Sequence, residues 1–480
     1  MEAIKLAGLE PAPVFGYFEE ICAIPHGSKN TKMISDYLVA FAKEHDLRYI
    51  QDEVNNVILF GEGTCGMEDH APVILQGHMD MVCEKDADCT IDMTAEGLDV
   101  AHDGQCVFAK GTTLGGDDGI AIAYALALLA DTTIPHPPLE VIITVDEEIG
   151  MLGADAIDLS ELKGRTLINL DSEDEGVFTV SCAGGATATI SLPVDRRAVY
   201  GPCIRLNVDG LQGGHSGAEI HKNRANANKV MGEFLSRIQK IMPLCLTSLA
   251  GGSKDNAIPR SCQVTAVAMG IHLERINAIA EELQAEIRET YDEPEATVQA
   301  FDVDALGGNS LSTESTAKVI GLLCAAPNGV QCWSQDIEGL VQTSLNMGII
   351  KLGERFSATF SVRSSVNSEK QELLEQLKTL AGFYDGAYSQ MAEYPAWEFK
   401  KESHLRDTMV RIYQEMFEKE PEVVAIHAGL ECGLLGEKLQ GLDCVSIGPQ
   451  MHDIHTSRER LEIASTGRTW DFLLEVLKNL

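Results

Sequence analysis

An apolar run of strand length, Val73-Ile74-Leu75-Gln76-Gly77-His78-Met79-Asp80-Met81-Val82, ends in His-x-Asp. Side chains alternate faces along an extended chain, so His78 and Asp80 project the same way. That arrangement suits an imidazole metal ligand and the carboxylate that orients it. One such pair is commonplace at strand ends, and its weight depends on whether other residues of ligand type end neighbouring strands.

Several do. Asp117 and Asp118 follow Gly115-Gly116 and precede Gly119 and an apolar helix. An acid there can cap the helix, or it can face a metal ion beside glycines that let the backbone approach closely. Glu147-Glu148 closes the run from Leu139 to Asp146, and Asp171 follows the strand Thr166 to Leu170. Two histidines, His452 and His455, come just after the strand Cys444 to Ile447. Ligand sites in open α/β sheets lie beyond the carboxyl ends of the strands, so strands that each end in a ligand-type residue converge on one crevice. A His with carboxylates on each of two sides, and an Asp shared between them, is the donor set of two divalent ions about 3.5–4 Å apart. Mixed His and carboxylate ligation favours zinc, and manganese or cobalt suit the same atoms. By spacing alone Asp117 competes with Asp118 for the bridge, and His452 with His455 for the last ligand.

The elements that would hold these residues are readable from periodicity. Residues 14–46 read as two helices. Strands follow at Val57 to Phe60, Val73 to Gln76, Leu139 to Val145 and Thr166 to Leu170, with a helix from Asp118 to Leu129. Strands apolar throughout and alternating with helices indicate an α/β layer with a mostly parallel sheet flanked by helices. After Ser172 the character changes. β-type segments such as Val177 to Val194, Cys203 to Val208, Cys262 to Ile271 and Arg355 to Val362 alternate with amphipathic helices around Asn226 to Met242 and Leu273 to Tyr291, the pattern of a separate α+β unit. The α/β style resumes after Pro395, with a helix His404 to Phe417, strands Val423 to Ile426 and Cys444 to Ile447, and a last helix Ser465 to Leu477. The expected organisation is a catalytic α/β domain in residues 1–185 and 396–480, interrupted by an inserted α+β domain in residues 186–395.

Bulk properties narrow the partners. The chain of 480 residues carries 73 acidic and 37 basic residues, a formal charge of −36, which disfavours nucleic acid and anionic membrane surfaces. Its 13 cysteines are odd in number and scattered, with no Cys-x-x-Cys, which fits a reducing cytoplasm better than a disulfide framework. The longest apolar run, Ile120 to Ala130, is too short to cross a bilayer, and the start of the chain does not read as a signal peptide. No nucleotide-binding glycine motif is present.

In the order His78-x-Asp80, Gly116-Asp117-Asp118-Gly119, Glu147-Glu148, Asp171 and a late His455, the chain resembles the dizinc exopeptidases and deacylases that include carnosinases, peptidase T and succinyl-diaminopimelate desuccinylase. The likeness spans the whole chain. Its length, Leu114 to Gly119 and the segment Asp255 to Arg260 are most similar to the branch that hydrolyses Xaa-His dipeptides. The resemblance implies a metal-bridging hydroxide that attacks unblocked dipeptides, carnosine-like ones included. It implies metal ligands His78, Asp117 as the bridge, Glu148, Asp171 and His455, with Glu147 as general base and Asp80 holding His78. His455 is preferred over His452 because His455-Thr-Ser-Arg-Glu459 resembles the family's spacing. Within Gly213-Gly214-His215-Ser216-Gly217, His215 is implied to stabilise the oxyanion, and Asn256 and Arg363 to bind the substrate's carboxylate. A lid that also pairs two subunits into a homodimer is implied for the inserted domain. Two alternatives are an N-acyl amino-acid deacylase of the same clan, which would not need a free substrate amine, and a catalytically silent metal-binding scaffold.

Overall fold

In a computed structural model of the protein, the described residues are 5–268, 270, 273–304 and 307–480. The first four residues, and Ile271 at the end of one expected strand, lie outside them. The chain divides into two compact units, Met1–Ser181 with Phe399–Ala425 and Leu430–Leu480, and Cys182–Glu398 with Ile426–Gly429.

The first unit is built on an eight-stranded sheet in the order Arg48–Gln51, Val57–Gly61, Leu139–Thr144, Val73–His78, Thr166–Asn169, Asp443–Ser446, Val177–Cys182, Glu422–Ile426. Its centre is parallel: Val73–His78 pairs in parallel with Leu139–Thr144 on one side and Thr166–Asn169 on the other, and the latter with Asp443–Ser446. Val57–Gly61 runs antiparallel to Leu139–Thr144, and Val177–Cys182 antiparallel to Asp443–Ser446. Every residue of Val73–His78 and of Leu139–Thr144 is buried, as parallel strands covered on both faces require. The helix Gly116–Ala130 lies against Val73–His78 and is itself covered by the helix Ala12–Cys22. Its alanines allow this close packing: Gly119 lies against the Phe18 ring, and Tyr124 stacks on Trp470 with ring centroids 5.9 Å apart. The α/β architecture is the one expected.

Register lines up the strand ends. His78 is paired with Thr144, and Gln76 with Asn169, so the residues that follow all emerge at one edge. A further four-stranded sheet of Met451–His452, Arg460–Glu462, Cys106–Ala109 and Val100–His102 holds both ends of the turn that carries His455. Its strands of two to four residues are too short to leave a period in the sequence.

The second unit is a nine-stranded antiparallel sheet covered by the helices Ala227–Gln239, Leu273–Tyr291, Thr313–Ala325 and Asn367–Phe383. Burial alternates along strands such as Gly184–Pro193, the mark of a sheet with one face packed and the other open. The stretch Val177 to Val194, one β region by composition, is two strands in two sheets. Gly184 and Gly185 mark the change, because a Cβ on either would meet the Ala396 backbone or the Tyr394 hydroxyl within 2.5 Å.

Leu75 is fully buried in the central strand. Leu75→Ala is expected to lower stability by about 2–5 kcal/mol, measured as a shift in the urea midpoint, through lost apolar contact and the cavity left behind. An unchanged midpoint would contradict its place in the core.

Candidate metal centre

The ends of three adjacent strands and two loops bring seven ligand-type side chains together. His78, Asp118 and Asp171 form one group, His78, Glu147 and Glu148 a second, and Asp117, Glu148 and His455 a third; within each group the ligand atoms lie within 4.8 Å of one another. Asp117 stands between the two imidazoles. Its Oδ1 is 3.1 Å from His78 Nε2 and its Oδ2 is 3.0 Å from His455 Nε2. Asp171 Oδ1 lies 3.5 Å from His78 Nε2, and Glu148 Oε1 lies 3.0 Å from His455 Nε2.

The competing residues take other positions. Asp118, joined to Asp117 by a cis peptide, turns beneath the strand and accepts the His78 backbone N–H at 3.1 Å, while its other oxygen has no hydrogen-bond partner. That approach needs glycine next to His78, since a Cβ on Gly77 would lie 2.4 Å from Asp118 Oδ2. His452 is turned away and pairs with Glu462 at 2.8 Å.

Asp80 does more than hold an imidazole. His78 Nδ1 is 2.9 Å from the backbone carbonyl of Asp80 and 3.6 Å from its carboxylate. The carboxylate accepts the Ser28 hydroxyl at 2.8 Å and the Glu147 backbone N–H at 3.0 Å, so it fixes the start of the Glu147-Glu148 turn. The His78 Nδ1 contact leaves Nε2 to face Asp117 and Asp171, as second-sphere partners of metal-binding histidines do.

The loop bearing Asp117 is gripped from far along the chain. Glu459, buried, accepts backbone N–H groups of Leu114 at 2.7 Å, Gly115 at 3.1 Å and Gly116 at 2.8 Å. Gly115 adopts φ 68°, which costs glycine nothing. Residue order singled out Glu459 only by its spacing from His455, and its grip on the loop is a contact across 345 residues.

Five carboxylates around two imidazoles make an electrostatic problem that the protein alone does not solve. Burial, with neighbouring carboxylates, pushes Glu147 up to about 9 and Asp171 up to about 6. Burial pushes Asp118 well above the usual carboxylate range. Glu173 and Glu431, outside the cluster, are raised by burial to about 7 and about 8. Against the burial that opposes it, the two imidazoles hold Asp117 below its ordinary value. His455 is lifted to about 10 by Asp117 and Glu148. Acids displaced in both directions in one crevice form a site that lacks positive charge, and the donor set fits divalent cations.

The second unit contains the remaining expected residues. His215 Nδ1 accepts the backbone N–H groups of Gly217 at 3.2 Å and Ala218 at 3.0 Å. A neutral imidazole held in this way carries its proton on Nε2, so that nitrogen is a donor. Burial and the Arg363 guanidinium lower its pKa and favour that neutral form. Arg363 gives Nη1 to the Tyr394 hydroxyl at 3.2 Å, while its buried Nε has no hydrogen-bond partner. His427, which sequence reasoning missed, is held by burial and Arg363 down at about 3 and contacts the Ser344 hydroxyl at 2.7 Å. Asn256 is exposed, and its carbonyl accepts the Ser216 N–H at 2.9 Å, next to His215.

Residues 74–479 match the peptidase family M20/M25/M40. The chain is 36% identical over 481 residues to the cytosol non-specific dipeptidase of Escherichia coli (strain K12), an alignment that covers 99% of both. Among solved structures, the aminoacylhistidine dipeptidase of Vibrio alginolyticus superposes with a TM-score of 0.93 at 34% identity, covering 99% of this chain and 98% of that one. The aminopeptidase PepT of Bacillus cereus shares the fold, with a TM-score of 0.55 at 15% identity and 98% of each chain covered.

Glu459→Ala removes the acceptor for four buried N–H groups, those of Leu114, Gly115, Gly116 and, at 3.4 Å, Asp117. It is expected to cost roughly 1–3 kcal/mol of stability for each group left unpaired, and to weaken metal binding about 10-fold or more because the Asp117 loop loses its shape. Thermal unfolding and chelator competition measure the two effects, and wild-type values in both would contradict the grip described.

Proposed function

The chain belongs to peptidase family M20/M25/M40, and from that premise we propose that it is a two-metal dipeptidase cleaving unblocked dipeptides, with Xaa-His dipeptides preferred. The observation that carries this reading is the Asp117 carboxylate, each oxygen about 3 Å from a different imidazole. Full-length likeness to a dipeptidase in sequence and to another in structure supports the substrate class.

In this reading His78, Asp171 and Asp117 would hold one ion, and Asp117, Glu148 and His455 would hold the other. Zinc is the proposed metal, with manganese or cobalt able to take the same donors. Bound divalent ions polarise a carbonyl and acidify water. The protein's own residues do the rest. Glu147, fixed through its backbone to Asp80, takes the proton of the attacking water on its carboxylate and returns it to the departing amine. Nε2–H of His215 donates to the oxygen that gains charge at the scissile carbonyl. Arg363, with an unpartnered Nε, and Asn256 take the dipeptide's C-terminal carboxylate.

Residues 186–395 are proposed as a lid through which two chains form a homodimer, and the cytoplasm as the location. Among the described residues, no helix is long and apolar enough to cross a membrane.

The test is a panel of dipeptides with free and acetylated amines, assayed with zinc, manganese and cobalt beside Glu147→Ala. Free-amine dipeptides are expected to be cleaved, and Glu147→Ala to lose roughly 10²–10⁴-fold in kcat while both ions stay bound. Retained turnover in the variant contradicts the base assignment. Turnover confined to acetylated substrates would make the protein a deacylase, and none with any metal would make it a silent scaffold.

A further inference from the structure

Glu431 is fully buried, and among the described residues no lysine or arginine pairs with it. Its Oε2 accepts two hydrogen bonds, from the Thr144 hydroxyl at 2.6 Å and the Gln76 amide at 2.6 Å, and its Oε1 has no hydrogen-bond partner. The Gln76 carbonyl oxygen in turn accepts the Asn169 amide at 2.5 Å. Burying a carboxylate without a cation is expensive, and a leucine would fill the same volume at less cost. Stability alone does not account for the residue.

The places of its partners do. Thr144, Gln76 and Asn169 lie on three adjacent parallel strands, in the order Leu139–Thr144, Val73–His78, Thr166–Asn169. Gln76 comes two residues before His78 and Asn169 two before Asp171, so by strand alternation each pair shares a face. Gln76 and Asn169 are also register partners, which makes their amide contact a rung directly beneath His78 and Asp171. Thr144 begins the turn to Glu147 and Glu148. One acceptor atom therefore ties the strand ends that deliver His78 and the Glu147-Glu148 turn, and the Gln76–Asn169 amide contact extends the tie to the strand that delivers Asp171.

We infer that Glu431 is a positioning residue for the metal centre, setting through Thr144 and Gln76 the separation of the strand ends that carry the ligands and the base. The inference rests on the two-ion reading above. Outer-sphere partners of this kind are worth about 10–100-fold in metal affinity or activity, because ligand donors tolerate displacements of only a few tenths of an ångström. Glutamine at this position keeps one oxygen for both donors, whereas leucine leaves Thr144 and Gln76 without an acceptor.

The full-length protein is tested as wild type, Glu431→Gln, Glu431→Leu and Thr144→Val. Zinc affinity is read by competition with a chromophoric chelator, kcat and KM on one dipeptide, and folding by thermal melt. Expected are zinc affinity and kcat lowered about 10-fold or more in Glu431→Leu, KM within about twofold, and Glu431→Gln near wild type. Thr144→Val, which removes one of the two contacts without altering side-chain volume, should show a smaller loss of the same kind and settles the matter should Glu431→Leu fail to fold. Wild-type zinc binding with unchanged Glu431→Leu and Thr144→Val overturns the positioning role alone. Glu431→Gln as damaged as Glu431→Leu overturns it too, since charge and not the acceptor would then matter. A wild-type protein that binds no zinc, manganese or cobalt overturns the two-ion reading and this inference with it.

Discussion

Repulsion among five buried or half-buried carboxylates, relieved among the described residues of the cluster by two imidazoles, is the constraint on which the catalytic unit depends. Unpaired charges in a low-dielectric interior cost several kcal/mol each unless a counter-charge is supplied. The chain meets that cost with architecture: a parallel sheet centre buried on both faces, a glycine beside His78 where any side chain would collide, and a loop clamped by Glu459. None of these raises the positive charge of the site. They hold a deficit in place, with geometry suited to divalent cations, and the shared Asp117 is where the two halves of that deficit meet.

The supports are layered. Nearest the ligands, Asp80 holds His78 through its backbone carbonyl and Ser28 and the Glu147 backbone through its carboxylate, so ligand and base are set by one residue. Farther in, the rung of Thr144, Glu431, Gln76 and Asn169 spans the strands beneath. The long-range contacts to residues 431–462 mean that the last part of the chain must be in place before the first part can hold its ligands.

Much of this was legible in order and spacing, and the remainder was not, for physical reasons. The helices His404–Phe417 and Leu273–Tyr291 were readable to the residue because their apolar stripes run for several turns. Strands buried on both faces stood out as continuous apolar runs. The four-stranded sheet around His455 was invisible, as were the helices Thr313–Ala325 and Asn367–Phe383. Residue order also left Asp117 level with Asp118. Only the fold of the Gly-Gly-Asp-Asp loop separates them, turning one carboxylate to both imidazoles and the other to a backbone N–H. Glu431 could not have been singled out at all, since an acid at a helix start has an ordinary capping explanation until its partners on distant strands are known.

The most direct test of the account is anomalous diffraction at the zinc edge from crystals of the protein grown with zinc. Two peaks about 3.5–4 Å apart are expected on either side of the Asp117 carboxylate, one within about 2.0–2.2 Å of His78 and Asp171 and the other of Glu148 and His455. A single peak, or a second peak held by His452 in place of His455, would contradict it.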